Sequence, residues 1–280
     1  TSTGVASTPS WSASSLIPAP TSRNIITRSG GSAVAFQWGN LSASDKTAMI
    51  SSDVVDYIRG MRISEQQNGG ALRNRQTVLG DIVDSTPAYV LDSDTIYVGA
   101  NDGMLHAFDA SETSDAGKEV FALVPHSVFR GPDNNPEVSG IQALARKTYF
   151  YLYFMNATPE IRDVDIARTG GKLSSFSPSL ASDWRTLLVA GQGKGGHSFV
   201  AMDVTSISST VSESDIAGRV LWEFTHPDMG FSFGRPLIAK TARWGWVVVL
   251  TGGYNNVNGT KPGQGAIFVL NAKTGALLGS

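Results

Sequence analysis

From Thr77 onward, apolar residues occur in short alternating or continuous runs that are separated by Gly, Asn, Asp and Pro. Four such runs follow one another with short gaps: TPAYVL, TIYVGA, MLHAFDA and EVFALV. Runs of this length predict strands, and short polar gaps between them predict hairpins. The pattern therefore predicts an antiparallel meander of four strands.

The same order of runs recurs twice. WRTLLVAG, HSFVAMDV and RVLWEFT form a second pass, and RPLIAK, WVVVLTGG, AIFVLNA and TGALLG form a third. In each pass, a turn of small residues precedes a strand that ends in Asp109, Asp203 or Asn271. A meander repeated with insertions is typical of β-propeller blades, whereas a β-sandwich, the alternative, would not need the repeated turn. We therefore expect an all-β protein with about three blades of a β-propeller over residues 77–280.

The chain before this region has a different pattern. Residues 1–35 are rich in Ser, Thr and Pro without a sustained period, which predicts an arm or linker with Trp11 as its anchor. Residues 36–76 predict a small helical segment and a connection. The connection includes the polar stretch EQQNGGALRNR, which we expect to cross the surface.

Two short helices are expected in this segment. Ser42 and Asp45 resemble a capping box at the start of the first helix. Ser52 is a candidate cap for the second helix, and Gly60 is a candidate for its end.

Composition narrows the classes of function. Of the 280 residues, 41% are hydrophobic, which is enough for a sizeable core, and the net charge of -2 gives no basic surface for nucleic acid. No stretch approaches the roughly 20 apolar residues of a membrane span. Cysteine is absent, which excludes disulfides and thiolate sites. The chain starts without Met and stops within a blade motif, so we expect a piece of a longer protein with further blades.

Motifs that could carry chemistry are weak. Gly191, Gly193 and Gly196 match the spacing G-x-G-x-x-G of dinucleotide-binding loops, but a strand pattern follows them and not a helix, so they predict a turn. Asn101-Asp102-Gly103 is interpreted in the same way, as the hairpin turn of a blade signature.

Candidate catalytic and metal residues do not converge in the sequence. The four histidines are far apart, and we expect them to be structural: His106, His126, His197 and His226. Three acidic clusters lack the alternating oxygens of a calcium loop: Asp92 with Asp94, Asp133 with Asn134 and Asn135, and Asp163 with Asp165. The first two of these clusters predict turns. Aromatic residues of the predicted strands are expected to pack between blades: Trp184, Phe199, Trp222, Phe224, Trp244, Trp246 and Phe268. We therefore assign no catalytic, cofactor-binding or metal residue, and the partner-binding residues stay unknown.

Several blocks together resemble one known family, the C-terminal β-propeller of the PilY/PilC type IV pilus assembly proteins and tip-associated adhesins. The blocks, in collinear order over residues 36–280, are YIRGMR, LRNRQTVLGDIVDSTPAYV, IYVGANDGMLHAFDA, EVFALVPHSVF, YFMNATPEIRDV, DWRTLLVAGQGKGGHSFVAMDV and LWEFTHPDMGFSFGRPLIAK. The resemblance implies a non-enzymatic protein exported to the cell surface, pilus tip or outer membrane of a Gram-negative bacterium. It implies binding to minor pilins and to a surface or host receptor, a role in pilus extension, retraction and twitching motility, and no membrane span.

Family members bind calcium through a D-x-D-x-D-G loop, and this chain has no such loop. Calcium is therefore expected only for the full-length protein, and no cofactor is expected within this chain. Because the blades also resemble those of quinoproteins, one alternative is a periplasmic PQQ-dependent dehydrogenase. Another is a propeller scaffold of a different envelope assembly machine. Long blade loops often carry function, so the contact surfaces are predicted in the inserts at residues 111–117, 131–140, 167–183 and 255–263.

Overall fold

The computed structural model describes residues 9–208, 210–257 and 259–280. The first eight residues of the predicted arm and residue 258 of the last predicted insert lie outside this part. The helices are α1 (Ala43–Met49), α2 (Ser52–Arg59) and α3 (Glu213–Ala217). The strands are β1 (Ile25–Ser29), β2 (Ser32–Ala35), β3 (Ala88–Val90), β4 (Thr95–Gly99), β5 (Leu105–Asp109), β6 (Glu119–Val124), β7 (Glu160–Asp165), β8 (Trp184–Gly191), β9 (Phe199–Asp203), β10 (Val220–Phe224), β11 (Leu237–Thr241), β12 (Gly245–Thr251), β13 (Ile267–Asn271) and β14 (Leu277–Gly279).

Strands β3 to β14 form three four-stranded antiparallel meanders, which we call blades 1, 2 and 3. The strand order is β3-β4-β5-β6 in blade 1, β7-β8-β9-β10 in blade 2 and β11-β12-β13-β14 in blade 3. The first strand of blade 2 lies beside the first strands of both other blades, as in the centre of a propeller. The expected all-β class and partial propeller are therefore confirmed, and the sheets do not close into a ring.

The sequence missed three strands. Strand β7 has the sequence EIRDVD, whose two apolar residues, Ile161 and Val164, are three positions apart and therefore give no apolar alternation. Strands β1 and β2 form a hairpin within the predicted arm, and β1 pairs in parallel with β6, so blade 1 is extended to six strands. This parallel pairing joins segments almost a hundred residues apart, so a local sequence pattern cannot predict it. The division into an arm, a helical segment and blades stays a prediction.

The repeat is visible in a turn that each blade builds in the same way. The side chain that ends the third strand accepts the backbone N–H of the residue two positions later. The N to Oδ1 distances are 2.8 Å for Asp109, 2.9 Å for Asp203 and 2.9 Å for Asn271. An Asp or Asn side chain in this position mimics a backbone turn, which explains why an acid and an amide serve equally.

Apolar side chains fill the spaces between blades. One core between blades 1 and 2 contains Tyr97 and Phe121 of blade 1 with Leu188 and Met202 of blade 2. A second core, between blades 2 and 3, contains Phe199, Trp222, Trp246 and Phe268, with Phe224 packed at its edge. Trp184, at the start of β8, is 56% exposed, but its ring still packs edge-on against Trp246 of blade 3, with 5.9 Å between the ring centroids. Trp244 lies in the turn before β12 and not in a strand.

A tryptophan also links neighbouring blades at the outer edge. The indole Nε1 of Trp222 donates to the carbonyl of Ala272, at 3.1 Å, and the ring lies directly against Gly275. Gly275 has φ of +69°, and a Cβ there would lie 2.5 Å from the indole. In blade 1, Trp11 of the arm lies in the same way against Gly117, where a Cβ would be 2.6 Å from its ring. The arm thus covers blade 1 where a preceding blade would otherwise do so.

Residues 9–76, which we call the N-terminal segment, also cover the rest of this face of blade 1. Helices α1 and α2 contribute Met49, Val55 and Tyr57 to a core that also contains Ala122 and Val124 of β6. Ser42 accepts the N–H of Asp45 and caps α1, as expected. The cap of α2 is Ser51 and not Ser52, because Ser52 is already the first helical residue. Gly60 ends α2 in the left-handed conformation, with φ of +116°.

Two further features complete the architecture. Helix α3 was not expected; it begins with a capping box formed by Ser212 and Asp215. On blade 3, the face turned away from blade 2 is open, with Leu237 and Ile267 more than half exposed. No helix in the described part of the chain is long and apolar enough to cross a membrane.

The packing predicts different costs for two leucine truncations. Leu188 is fully buried between blades 1 and 2, whereas Leu237 is 56% exposed on blade 3. We expect Leu188→Ala to lower the free energy of unfolding by about 2–5 kcal/mol and Leu237→Ala by less than about 1 kcal/mol. Urea unfolding followed by tryptophan fluorescence measures both. Equal losses would show that the cores between blades do not stabilise the protein.

Candidate functional site

The turn Asn101-Asp102-Gly103 joins β4 to β5. The hairpin closes with the N–H of Ala100 donating to the carbonyl of Met104, at 2.9 Å. Only Gly103 has a positive φ, +93°, and a Cβ at this position would lie 2.4 Å from Cδ1 of Ile141. The turn interpretation therefore agrees with the structure, and glycine is needed both for its backbone angle and for its small size.

The side chains of this turn bind groups outside the hairpin. Asp102 accepts the N–H of Gly80 at 2.7 Å and contacts Nε2 of His106 at 3.1 Å. The other ring nitrogen of His106, Nδ1, lies 2.7 Å from Glu119 of β6. Both nitrogens of the imidazole thus face carboxylates, and only the protonated ring can donate to both. The geometry therefore requires an imidazolium in the fully buried His106.

Arg23 of the N-terminal segment completes this network. Its Nε and Nη2 donate to the two carboxylate oxygens of Glu119 at 2.6 and 2.7 Å, and Nη1 donates to the carbonyl of Arg59 at 2.8 Å. Two cations and two carboxylates therefore balance in the space between blade 1 and the N-terminal segment. Breaking one partner of such a buried set leaves an uncompensated charge, which typically costs about 3–5 kcal/mol.

The pKa values follow from burial and the facing charges. Burial alone would lower the pKa of His106, but Asp102 and Glu119 outweigh it and raise the pKa to about 9. Burial would raise the pKa of Glu119, but Arg23 and His106 outweigh it and lower the pKa to about 2. Burial opposes the charged form of Asp102 as well, and His106 with the N–H of Gly80 holds its pKa below the ordinary value. All three groups are therefore charged at neutral pH.

Asn101, on the same turn, orients a second set of groups. Its Nδ2 donates to the hydroxyl of Tyr151 at 2.9 Å, and its Oδ1 accepts the N–H of Phe154 at 3.1 Å. The Tyr151 hydroxyl in turn donates to Asp81. The turn thus holds both the segment around residue 80 and the aromatic segment 149–154 in place.

These elements enclose a cavity of about 330 Å³. Asn101, Asp102 and Gly80 lie at its floor, and the walls are formed by α2, the segment 73–79 and the aromatic segment. Two stacked pairs line it: the Arg75 guanidinium lies 3.5 Å from the ring centroid of Tyr57, and that of Arg73 lies 4.1 Å from the centroid of Tyr149. The volume is within the range of small-ligand sites, and charged and aromatic groups converge on it.

The stretch EQQNGGALRNR is less superficial than the sequence suggests. Glu65 is fully buried and accepts from Arg75 at 2.9 Å, and Arg75 also donates to the carbonyls of Tyr57 and Met61. The prediction of a surface crossing is therefore wrong for Glu65, because an arginine ten residues later neutralises it. The aromatic run TYFYLYF with the LRNR motif was the available signal for the cavity.

The other histidines lie apart from this site. His126 contacts Asp45 of α1 at 2.8 Å, and His226 accepts the N–H of Asp228 at 3.1 Å. The His197 ring packs edge-on against Phe231, and burial lowers its pKa. The structure therefore brings no two of the four histidines together.

The remaining candidates lie in turns and strands. Gly191 ends β8, Gly193 and Gly196 lie in the connection between β8 and β9, and a strand follows them, as predicted from the sequence. Asp94 accepts from Tyr89, Asp163 from Thr186, and Asp165 pairs with Arg168. Asp92 lies with Asp94 in the turn between β3 and β4, and residues 133–135 lie in an exposed loop after β6. Among the residues that the structure describes, no three His, Asp or Glu side chains are placed to hold a metal, so the acids present do not fit a calcium site.

Fold and site together define a partial β-propeller module whose first blade carries an N-terminal cover and a polar cavity. The model of the PilY1 β-propeller domain family matches residues 79–279. The chain therefore belongs to the PilY1 β-propeller family.

Relatives in the same family include pilus proteins of two bacteria. The type IV pilus biogenesis factor PilY1 of Pseudomonas aeruginosa strain UCBPP-PA14 is 29% identical, and the match covers 99% of this chain and 25% of that protein. A PilY1 homolog of Xylella fastidiosa is 31% identical over 81% of this chain and 15% of its own length. The chain thus spans about a quarter or less of these relatives.

Two solved structures were also compared with the chain. The crystal structure of the P. aeruginosa PilY1 C-terminal domain is 29% identical over 65% of this chain and 28% of that one, with a TM-score of 0.41. A quinohemoprotein alcohol dehydrogenase from Pseudomonas putida is more distant, with 14% identity and a TM-score of 0.22.

The ionic network predicts how stability depends on pH. A folded-state pKa of about 9 for His106, above the unfolded value of about 6.5, stabilises the protein fully below pH 6.5, and this contribution is lost as the pH rises through 9. The lowered pKa values of Glu119 and Asp102 give the opposite dependence, with stability lost in acid. We expect the free energy of unfolding to fall between pH 7 and 9.5, by at most about 1.4 kcal/mol per pH unit from His106.

Urea unfolding at pH 6.5, 8 and 9.5 measures this dependence. The variant His106→Gln should lose the alkaline decline. The control His197→Gln should keep it, because burial lowers the pKa of His197 and that group does not titrate above pH 7. An unchanged alkaline slope in His106→Gln would contradict a charged His106.

A pair of glycine variants tests the packing of the turn. Gly103 and Gly31 have similar φ values, +93° and +88°, but a Cβ at Gly31 has no atom within 4 Å, whereas one at Gly103 would meet Ile141. Both Ala variants place a residue with a Cβ at a positive φ, and this cost is common to both. Only Gly103→Ala also meets Ile141, so it should be less stable than Gly31→Ala by about 1–3 kcal/mol. Denaturant unfolding measures the difference. Equal stabilities would mean that the Ile141 side chain moves aside without a loss of stability.

Proposed function

We propose that this chain is a non-enzymatic module of a type IV pilus assembly and tip protein. It binds minor pilins and a surface or host ligand, and it thereby regulates pilus extension and retraction. The observation that supports this most is the family match over residues 79–279, together with relatives named as pilus biogenesis factors. An exported location, at the surface, pilus tip or outer membrane of a Gram-negative bacterium, belongs to the same proposal. Calcium binding stays a prediction for the longer protein.

The blade topology divides the predicted contact loops between two ends. In an antiparallel meander, the turn between strands two and three lies opposite the turns on either side of it. Insert 255–263 joins the second and third strands of blade 3, so it lies at the same end as the turn at residues 101–103. Insert 131–140 follows the fourth strand of blade 1 and lies at this end too, whereas 111–117 and 167–183 lie at the other.

This division favours the cavity end for a partner. Inserts 131–140 and 255–263 lie at the same end of the blades as the cavity. One partner that binds at this end can therefore contact all three. The exposed side chains of Phe150 and Tyr151, 77% and 48% accessible, lie beside the cavity. Exposed aromatic groups beside a polar pocket are typical of protein contact surfaces.

Deletion tests the proposed function. We expect in-frame removal of the segment encoding residues 79–279, in a piliated host that carries the gene, to reduce surface pili and to abolish twitching. Sheared pilin detected by immunoblot and the diameter of the twitching zone measure the two effects. Complementation with the intact gene and with the exposed-face variant Leu237→Ala should restore both. Normal piliation and twitching after the deletion would contradict the proposal.

A further inference from the structure

Arg73 differs from the other arginine of the cavity in the use of its donors. All three guanidinium nitrogens of Arg75 are engaged: Nε donates to Glu65, and each terminal nitrogen donates to a backbone carbonyl, at 2.6 and 2.7 Å. Arg73 donates only through Nε, to the carbonyl of Leu144 at 2.8 Å. Within residues 9–208, 210–257 and 259–280, the Arg73 side chain also lies within hydrogen-bonding reach of the Tyr57 hydroxyl, and its charge has no carboxylate partner. The cavity is therefore lined by one guanidinium whose charge no carboxylate neutralises.

This guanidinium is already oriented for binding. The hydrogen bond to Leu144 fixes one edge of the group, and stacking at 4.1 Å on Tyr149 fixes its plane. A planar arginine fork that is held in this way matches the two oxygens of a carboxylate or an oxyanion. Because little freedom remains to be lost, binding costs less side-chain entropy than at a free surface arginine.

Two carboxylates of the cavity lining restrict the choice of anion. Asp81 and Asp102 both line the cavity, and Asp102 is charged through its partners in the ionic network. These carboxylates disfavour a dianion such as phosphate more strongly than a monoanion. They accept hydrogen bonds, so they favour a ligand that carries donors beside its negative group.

The backbone beside the cavity suits a polypeptide. The N–H groups of residues 76–79 have no acceptor in the described part of the chain, and this segment is neither helix nor strand. Unpaired backbone donors, every second one of which faces the same side of an extended segment, complement the carbonyls of an extended peptide. The exposed rings of Phe150 and Tyr151 provide apolar contact at the rim.

We propose that the cavity at Arg73 binds a carboxylate of a partner polypeptide, with the Arg73 fork on the carboxylate and the segment 76–79 beside the peptide backbone. The carboxylate is either that of an acidic side chain or that of a chain terminus. The inference deepens the proposed function, on which it rests for the nature of the partner, by naming the chemical group that this end of the module recognises.

Three synthetic peptides test the site on the full chain by isothermal titration calorimetry. They are acetyl-Gly-Tyr-Glu-Gly-amide, its Gln counterpart, and acetyl-Gly-Tyr-Gly with a free terminal carboxylate. We expect at least one acidic peptide to bind, and the Gln peptide to bind at least about tenfold more weakly, because a charged hydrogen-bonded pair is lost. Which acidic peptide binds distinguishes a side-chain carboxylate from a terminal one.

Variants locate the binding. Arg73→Gln should weaken binding of the acidic peptide by at least about tenfold. Arg243→Gln should leave binding unchanged; it is a matched control because the Arg243 guanidinium also stacks on an aromatic ring, that of Trp244, at 4.6 Å, but in blade 3. Arg73→Lys keeps a cationic stem beside Tyr149 and should bind with intermediate strength, which retains a test if the Gln variant does not fold.

Three results would overturn the inference: no acidic peptide binding more tightly than the Gln peptide, unchanged binding of that acidic peptide by Arg73→Gln, or displacement of the peptide by inorganic phosphate at equal concentration. Failure of the inference and failure of the proposed function are separable. If Arg73→Gln still captures minor pilins and supports piliation, only the carboxylate site is wrong. If the peptides bind through Arg73 but deletion of the module leaves piliation normal, only the pilus function is wrong.

Discussion

The imidazolium of His106, held between Asp102 and Glu119, is the interaction on which the first blade and its surroundings depend. Glu119 binds Arg23 of the N-terminal segment, and Asp102 binds the backbone before β3. Four separate pieces of chain therefore meet in one neutral set of charges. Such a set has few tolerated alternatives, because loss of any member leaves a buried charge without a partner. It fixes how the N-terminal segment lies on the blade more specifically than apolar contacts could.

The second constraint is the covering of the sheet faces: both faces of blades 1 and 2 are covered, whereas the outer face of blade 3 is open. Blades 1 and 2, and blades 2 and 3, cover each other with interlocking apolar side chains. Blade 1 has no preceding blade in this chain, and helices α1 and α2 with Trp11 and its neighbours cover that face instead. The contact of Trp11 with Gly117 reproduces the contact of Trp222 with Gly275. The segment before the propeller therefore follows the same packing rule as a blade, although it has a different secondary structure.

The sequence predicted what is local and missed what is distant. Eleven of the twelve blade strands follow from runs of apolar residues, and the turns at Asp109, Asp203 and Asn271 follow from the repeat. The pairing of Arg23 with Glu119 spans 96 positions, and the periodicity of apolar residues cannot predict a contact over such a sequence separation. The turn at Asn101 was identified correctly as a turn, but its side chains act outside the hairpin. Its role in the cavity depends on residues 73–81 and 149–154, which only the fold brings near.

The cavity and the ionic network share Asp102, and this sharing couples the cavity to assembly of the first blade. The carboxylate that lies at the cavity floor is charged because His106 is protonated, and His106 is protonated because Glu119 and Asp102 both face it. Arg73 and Tyr149, on other walls, are placed by the N-terminal segment and the aromatic segment that pack on the same blade. If the N-terminal segment separated from blade 1, the network would lose Arg23 and the cavity would lose a wall. The cavity therefore exists only in the fully packed module, and separate peptides from either region would not reproduce it.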